Sequence, residues 1–447
     1  MQENHIINEK LPATQMGVLG LQHVLVMYAS AILVPLILGD ALGLSQADIA
    51  FLVSADIFTC GIATLLQVIG VKGFAGIRLP VMMGATLMTL PPMIAIGQSE
   101  GITAVFGSII ISGLFVFLVS FRVLPKLVKF FPTVVTGSLV TIVGLSLTAV
   151  GIRTIAGNAA SPTYGSPSNY ILGLIVILSI MVMNKHFTGF LKAIAVLIGL
   201  VVGTVVGYFM GMVDFAPVAE AGWFHFITPF HFGAPTFSLN GAIAMSLVMT
   251  MAIVESVGIF TVIGEICGVK LNVEDIARGV RAEGIAQVLG GIFNAFPYMT
   301  FSENAGLMEI TGVKSRYTII AAGGILIALG LLPKFAALAT IIPDPVLGGA
   351  MVVVFGMIGV VGIRMLGTLD LTGDNHNLLI VAASLGVGIG ISVVPDLFVK
   401  MPQLVQLVCG NGIFMGALTA LLLNLYFNYG EIVKAEKVSV EEAEAHS

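Results

Sequence analysis

Apolar stretches of about 20 residues, the length a helix needs to cross a hydrocarbon core, recur along nearly all of this 447-residue chain. Breaking the sequence at charges, Pro/Gly clusters and polar runs gives fourteen such segments between residues 16 and 428. The tenth, 302–312, is too short to cross as a helix. Only 10% of residues are charged, against about 25% in a soluble domain. A chain of this length with so little charge satisfies its outer surface only by facing lipid. The expected fold is therefore an all-α integral membrane protein.

Positive charge tests the count independently, because cytoplasmic loops retain Lys and Arg. With the N-terminus inside and fourteen crossings, the inside segments hold 16 of the 19 Lys and Arg; only Arg153, Lys334 and Lys400 fall outside. A miscounted span would invert everything after it and scramble that ratio. The termini, 1–15 and 429–447, are then cytoplasmic tails, and the acidic end of the second reads as disordered. The polar first fifteen residues lack the order of a cleaved signal peptide. The longest loops, 152–169 and 212–239, lie outside; the second carries Trp223, Phe224, Phe226 and Phe230, ring types favoured at a membrane interface.

Several classes are excluded on composition. A net charge of -5 with no basic patch gives nucleic acid nothing to bind. Cys60, Cys267 and Cys409 are far apart and match neither a metal site nor a disulfide framework. There is no phosphate-binding GxxxxGK[ST] loop and no paired metal ligands. An ATP-driven pump, a membrane enzyme and a resident cofactor are not expected.

Seven segments occupy 16–211 and seven occupy 240–428, joined by the outer loop 212–239. An odd number of crossings inverts the second half relative to the first. Pro132-Thr-Val-Val-Thr-Gly137 in segment 5 matches Pro343-Asp-Pro-Val-Leu-Gly348 in segment 12 at an offset of 211, and Val143 and Val354 keep that register. Inverted repeats are typical of secondary transporters, whose site lies where the repeats meet.

Segments 3 and 10 are interrupted at corresponding places. Segment 3 runs through Arg78-Leu-Pro-Val-Met-Met-Gly84 to Pro91-Pro92; segment 10 follows Asn294-Ala-Phe-Pro297-Tyr-Met-Thr-Phe-Ser302 and leaves about ten residues for helix. Each predicts a short extended piece followed by half a helix. Such backbone is tolerated at membrane depth only where it is buried in protein or lines a cavity, and paired interruptions are the best sequence pointer to a binding site.

Ionisable groups at depth are costly and usually functional. His23, Asp56, Glu255, Glu303 and Glu309 fall inside segments, and Glu283 at the inner edge of segment 9. Glu255 has no Lys or Arg within two helical turns. It must be protonated, hydrogen-bonded or exposed to water, and is a candidate proton carrier. Glu303 opens the segment 10 half-helix, where orphan N–H groups and the positive dipole end suit a carboxylate. A carboxylate there occupies the place an anionic ligand would want, so the ligand should be neutral or a hydrogen-bond donor. The Asn304 amide offers both donors and an acceptor.

Ser302-Glu303-Asn304-Ala-Gly306-Leu-Met-Glu309-Ile-Thr311-Gly312 resembles the signature of the nucleobase–ascorbate transporter family. Gln22-His23, the Glu255-Ser-Val-Gly stretch and Phe293-Asn-Ala-Phe-Pro297 are also similar to that family. The resemblance runs from about residue 15 to 428. It implies two inverted seven-segment repeats arranged as a core domain (segments 1–4 and 8–11) and a gate domain (segments 5–7 and 12–14), often in a homodimer in the bacterial cytoplasmic membrane. It implies proton symport of a nucleobase by alternating access. Glu255 and Glu303 would accept hydrogen bonds from ring N–H groups, with backbone near Ser302 completing the contact. Asn304, Gly306 and Thr311 would shape the half-helix, and His23 would support segment 8 in coupling; Glu283, near Arg278 and Arg281, is a loop ion pair or a conformational gate element.

Xanthine, uric acid and uracil share an alternating N–H and C=O edge that carboxylate acceptors and backbone donors would fit. Glu at 303 is familiar from uracil permeases, but Leu87 stands where those carriers place a stacking Phe. The expected substrate is an oxidised purine, xanthine or uric acid, with uracil the alternative. An anion transporter of the same inverted-repeat fold is more remote.

Overall fold

The computed structural model describes residues 6–122, 124, 132–157, 162–371 and 376–445. Seven helices in it are long and apolar enough to cross a membrane, and an eighth if one bent pair counts as a single span. The first is α1 (Ala13–Ala31) continued by α2 (Leu33–Ala41), broken at Ile32. Pro35 causes the break, since it lacks the N–H that would bond Ala31 and its ring crowds that carbonyl. Next come α3 (Gln46–Ile69), strand β1 (Met83–Ala85), the short helix α4 (Leu90–Glu100) and α5 (Ile102–Arg122). After α6 (Thr133–Ile155), α7 (Pro167–His186), α8 (Gly189–Ala193), α9 (Ala195–Phe209) and α10 (Ala216–Glu220), the same series recurs. It reads α11 (Leu239–Cys267), α12 (Val273–Ile292), strand β2 (Tyr298–Thr300), the short helix α13 (Ser302–Thr311) and α14 (Arg316–Gly330). The remainder is α15 (Pro333–Thr340), α16 (Asp344–Leu366), α17 (Asn377–Val393), α18 (Gln403–Cys409) and α19 (Gly412–Ala445).

Three boundaries differ from the sequence expectation. Segment 9, placed at 283–299, is helical from Val273. Its first turns carry Glu274, Asp275, Arg278 and Arg281, which masked it as loop. Asn272 and Asp275 close a capping box, and the buried Arg281 is satisfied by the Phe74 carbonyl at 2.6 Å, by Glu274 at 3.2 Å and by the Phe121 ring at 4.4 Å. Glu283 therefore lies mid-helix. Segment 12, placed at 335–360, begins only at Asp344, between two prolines. The stretch Pro333–Thr340 is instead an arm bent 79° from α14, turned where Pro333 cannot continue the helix. The tail expected to be disordered continues α19 as helix to Ala445, consistent with its Glu, Lys and Ala content.

The chain divides into two compact units, one of residues 1–122 and 150–353, the other of 123–149 and 354–447. In the first, α3 packs along α14 and α12 along α5, so the second helix of each series lies on the closing helix of the other. Glycines permit both approaches. A Cβ on Gly61 would fall 2.7 Å from the Gly323 carbonyl, and one on Gly284 would fall 2.9 Å from the Gly113 carbonyl. In the second unit α17 packs along α19, and Gly388 approaches Ile142 and Gly412. Helices α6 and α16 are both 23 residues long and begin and end 211 positions apart, the offset of the proline-led repeat.

Candidate functional site

Strands β1 and β2 form an antiparallel ribbon inside the first unit, pairing Met83 with Thr300, Gly84 with Met299 and Ala85 with Tyr298. Further bonds extend it, Phe301 N–H to the Met82 carbonyl and Thr86 N–H to the Pro297 carbonyl, each 2.9 Å. The local sequence explains the ribbon. Pro80 and Pro297 stop helix before each strand, and Gly84 is required because a Cβ there would enter the Phe301 ring. Both strands are fully buried, as membrane-depth backbone must be.

Met83 and Thr300 direct their N–H groups outward, and each is taken by the second helix of a series. Met83 N–H donates to Thr64 Oγ1 of α3 at 3.1 Å. Thr300 N–H and Oγ1 donate to Glu283 Oε1 of α12 at 3.1 and 2.8 Å. Gln67 adds a brace, accepting from Ile77 N–H at 3.0 Å and donating to the Gly279 carbonyl at 3.1 Å. Glu283 is thus a ribbon anchor, with its carboxylate spent on backbone and hydroxyl donors.

Because the strands are antiparallel, α4 and α13 leave the ribbon in opposite directions with their N-terminal ends beside it. Such ends attract anions through unsatisfied N–H groups and the dipole. Here both are modified. Pro91 and Pro92 remove two N–H donors from the first turn of α4, and Glu303 places a carboxyl in the first turn of α13. Ser302 Oγ donates to Glu303 Oε2 at 3.0 Å. The arrangement disfavours an anion and favours a neutral ligand rich in N–H donors.

Helix α13 has two faces. Ser302, Glu303, Gly306 and Glu309 are exposed, while Asn304, Ala305, Leu307 and Met308 are buried. Gly306 contributes open space, since a Cβ there would meet nothing within 4 Å. The buried face is pinned to α1: Asn304 Nδ2 lies 2.9 Å from His23 Nδ1 and 3.3 Å from the His23 carbonyl. The Asn304 amide is therefore committed to His23 rather than displayed on the open face. Thr311 bonds the Leu307 carbonyl at 2.9 Å, closing the helix before the left-handed Gly312.

Glu255 lies mid-way along α11, half-buried, with Oε2 buried and unpartnered. Helix α11 packs against both α13, which carries Glu303, and α12, which carries Glu283. Among the described residues neither Glu255 nor Glu303 appears in an ion pair. Repulsion between two such groups, one half-buried and one exposed, is relieved by a proton or by a ligand that donates hydrogen bonds. Leu87, half-buried, opens the 3-10 turn Leu87–Thr89 that packs on α11. Gly258, one turn from Glu255, is open like Gly306. Among the described residues no group of three or more His, Cys, Asp and Glu could hold a metal ion.

Sequence reasoning did not find the ribbon's partners. Thr300, Thr64 and Gln67 look like ordinary polar residues in apolar runs, and Tyr298 is one more residue of the extended piece before segment 10. Their only trace is the period of two that sets Tyr298 and Thr300 on one side of β2.

A permease family matches residues 14–397. A nucleobase transporter of Paenibacillus larvae, PlUacP, is 50% identical over 92% of this chain and 94% of its own. A xanthine permease of Bacillus subtilis is 49% identical over 95% of each chain, and the uric acid permease PucJ of the same organism 47% over 92% of each. Among solved structures, the transmembrane domain of a cyanobacterial bicarbonate transporter, BicA, superposes with a TM-score of 0.66 at 18% identity, covering 87% of this chain and 99% of that one. At that identity the likeness concerns the fold.

Proposed function

The chain belongs to the nucleobase–ascorbate transporter family of multi-pass membrane permeases, and from that premise we propose that it takes up an oxidised purine, xanthine or uric acid, with protons. The observation that carries the reading is the pair Glu255 and Glu303. The two acceptor carboxyls stand on helices that pack against each other, Glu255 on the long α11 and Glu303 in the first turn of the half-helix α13 beside the buried ribbon. Xanthine and uric acid present several ring N–H donors beside carbonyls, and the relatives named for these bases cover almost the whole chain.

In this reading Glu255 and Glu303 accept from ring N–H groups, and first-turn N–H groups at Ser302 meet a ring carbonyl. Leu87 covers one ring face. Glu255 also carries the proton, bound from one side and released on the other as the site changes access. His23 and Glu283 hold the moving parts in register. Gly306 and Thr311 keep the half-helix open and short.

The repeated order of helix, helix, strand, short helix and helix supports fourteen segments in two inverted repeats, 16–211 and 240–428, joined by an outer loop. Segments 1–4 and 8–11 form the core and the rest the gate. The Lys and Arg distribution supports cytoplasmic termini in a bacterial inner membrane, and the family supports a homodimer.

Uptake of labelled xanthine, uric acid and uracil in a transporter-deficient strain, with unlabelled bases as competitors, tests the substrate. Accumulation of xanthine or uric acid that collapses with a protonophore is expected. Uptake indifferent to protonophore and pH removes the proton, and competition by uracil alone replaces the purine.

A further inference from the structure

Asp56 has no part in the reading above, yet it is among the most completely enclosed charged-type residues of the chain, 0% exposed in the middle of α3. Its Oδ1 accepts a hydrogen bond from the Tyr298 hydroxyl at 2.8 Å, and the same hydroxyl lies 3.1 Å from the Asp56 main-chain carbonyl. Tyr298 is the largest fully buried side chain among the described residues and the first residue of β2. The second oxygen, Oδ2, reaches no donor, and Thr59 Oγ1, one turn along, is also unpartnered.

We propose that Asp56, acting through the Tyr298 hydroxyl, is a positioning residue for the nucleobase site, and that it works as a hydrogen-bond acceptor rather than as a charge. Three observations carry this. First, β2 is gripped at both ends by carboxyls from the corresponding second helices of the two series: Asp56 of α3 takes Tyr298, and Glu283 of α12 takes Thr300. Strand β1 is held at one residue, Met83, whose N–H donates to the Thr64 hydroxyl at 3.1 Å and whose carbonyl accepts from Cys60 Sγ at 2.6 Å. The strand held by carboxyls at two residues is the one that runs through Phe301 into Ser302 and Glu303.

Second, the ribbon bonds tie β2 to β1, and the two carboxyl anchors tie it to α3 and α12 as well. These anchors, two residues apart, roughly 6–7 Å along the strand, fix its direction. The first turn of α13 follows that direction rigidly, and small misplacements of a binding group are expensive. Third, the ribbon tie needs only an acceptor at Oδ1. No cation is bonded to either Asp56 oxygen among the described residues, and an uncompensated charge so deeply enclosed would be very costly.

The proposal rests on the nucleobase reading, so its test begins with wild-type uptake. Initial rates of labelled xanthine uptake across a concentration series are compared for wild type, Asp56→Asn, Asp56→Ala and Tyr298→Phe, each normalised to membrane abundance. Asn retains the Oδ1 acceptor, and its KM is expected within about threefold of wild type. Tyr298→Phe removes both bonds, and KM is expected to rise roughly tenfold or more, with the maximal rate per molecule falling less; Asp56→Ala removes the Oδ1 bond but keeps the main-chain carbonyl, and its KM is expected between those of Tyr298→Phe and Asp56→Asn.

Should Asp56→Ala fail to reach the membrane, Tyr298→Phe and Asp56→Asn decide between them. An Asn variant as impaired as Ala overturns the proposal, because the charge or its proton would then be what matters. Wild-type KM in Tyr298→Phe at normal abundance overturns it as well. If wild type accumulates a different base, the purine assignment fails while the KM comparison proceeds on that base. If it moves no base at all, the nucleobase reading falls, and this proposal with it.

Discussion

Glu283 Oε1 is bonded twice by a single residue, Thr300, through its N–H at 3.1 Å and its hydroxyl at 2.8 Å. A buried carboxyl is thereby converted into the latch of a three-residue strand. Glu283→Ala leaves two buried donors without partners, a loss of about 2–4 kcal/mol. We expect a lower melting temperature in detergent and little uptake, whereas Glu283→Gln keeps an acceptor and most of the stability. Equal melting temperatures for Ala and wild type would show that Thr300 finds other partners.

Glu255 makes a different prediction, because its carboxyl anchors nothing. Glu255→Gln should enter the membrane and melt like wild type while accumulation falls to the level of cells without the transporter. Assay of accumulation beside thermal unfolding separates the two effects. Normal accumulation in this variant would remove Glu255 from proton coupling.

Asn304 Nδ2 binds His23 through both the ring and the main-chain carbonyl. Asn304→Ala leaves the buried His23 groups unbonded and should cost about 1–3 kcal/mol. Substrate competition profiles should then broaden, since α13 loses its tie to α1. An unchanged melting temperature and profile would mean that the pair is incidental.

Gly61 tests packing apart from chemistry. A side chain there meets the Gly323 carbonyl at 2.7 Å and Ile327 at 2.8 Å, so Gly61→Val should destabilise by about 1–3 kcal/mol. Membrane abundance should fall while KM in the surviving protein stays at the wild-type value. A changed KM would mean that α3 and α14 shape the site directly.

Much of this was legible one residue at a time. The end of segment 10 at Gly312, the short helices after β1 and β2, and Glu303 in a first turn all follow from local rules. The errors were local as well. Charges in the first turns of α12 hid ten residues of helix, because segmentation by hydropathy cannot see that Arg281 will find the Phe74 carbonyl and the Phe121 ring. The arm Pro333–Thr340 was given to the wrong segment because hydropathy carries no information about a 79° bend.

The amino-acid order by itself determined that the chain must live in lipid, that two segments break, and that Asp56, Glu255 and Glu303 fall inside segments, since each is set by the cost of exposing apolar surface or burying charge along a short stretch. Only the tertiary structure decided what those carboxyls do. Among the described residues Glu255 Oε2 has no partner, Glu283 closes on Thr300 17 residues away, and Asp56 meets Tyr298 242 residues away. The reason is geometric. A hydrogen bond needs two atoms within about 3 Å, and for partners far apart in sequence that distance is set by how helices from different parts of the chain pack, through contacts such as Gly61 on Gly323.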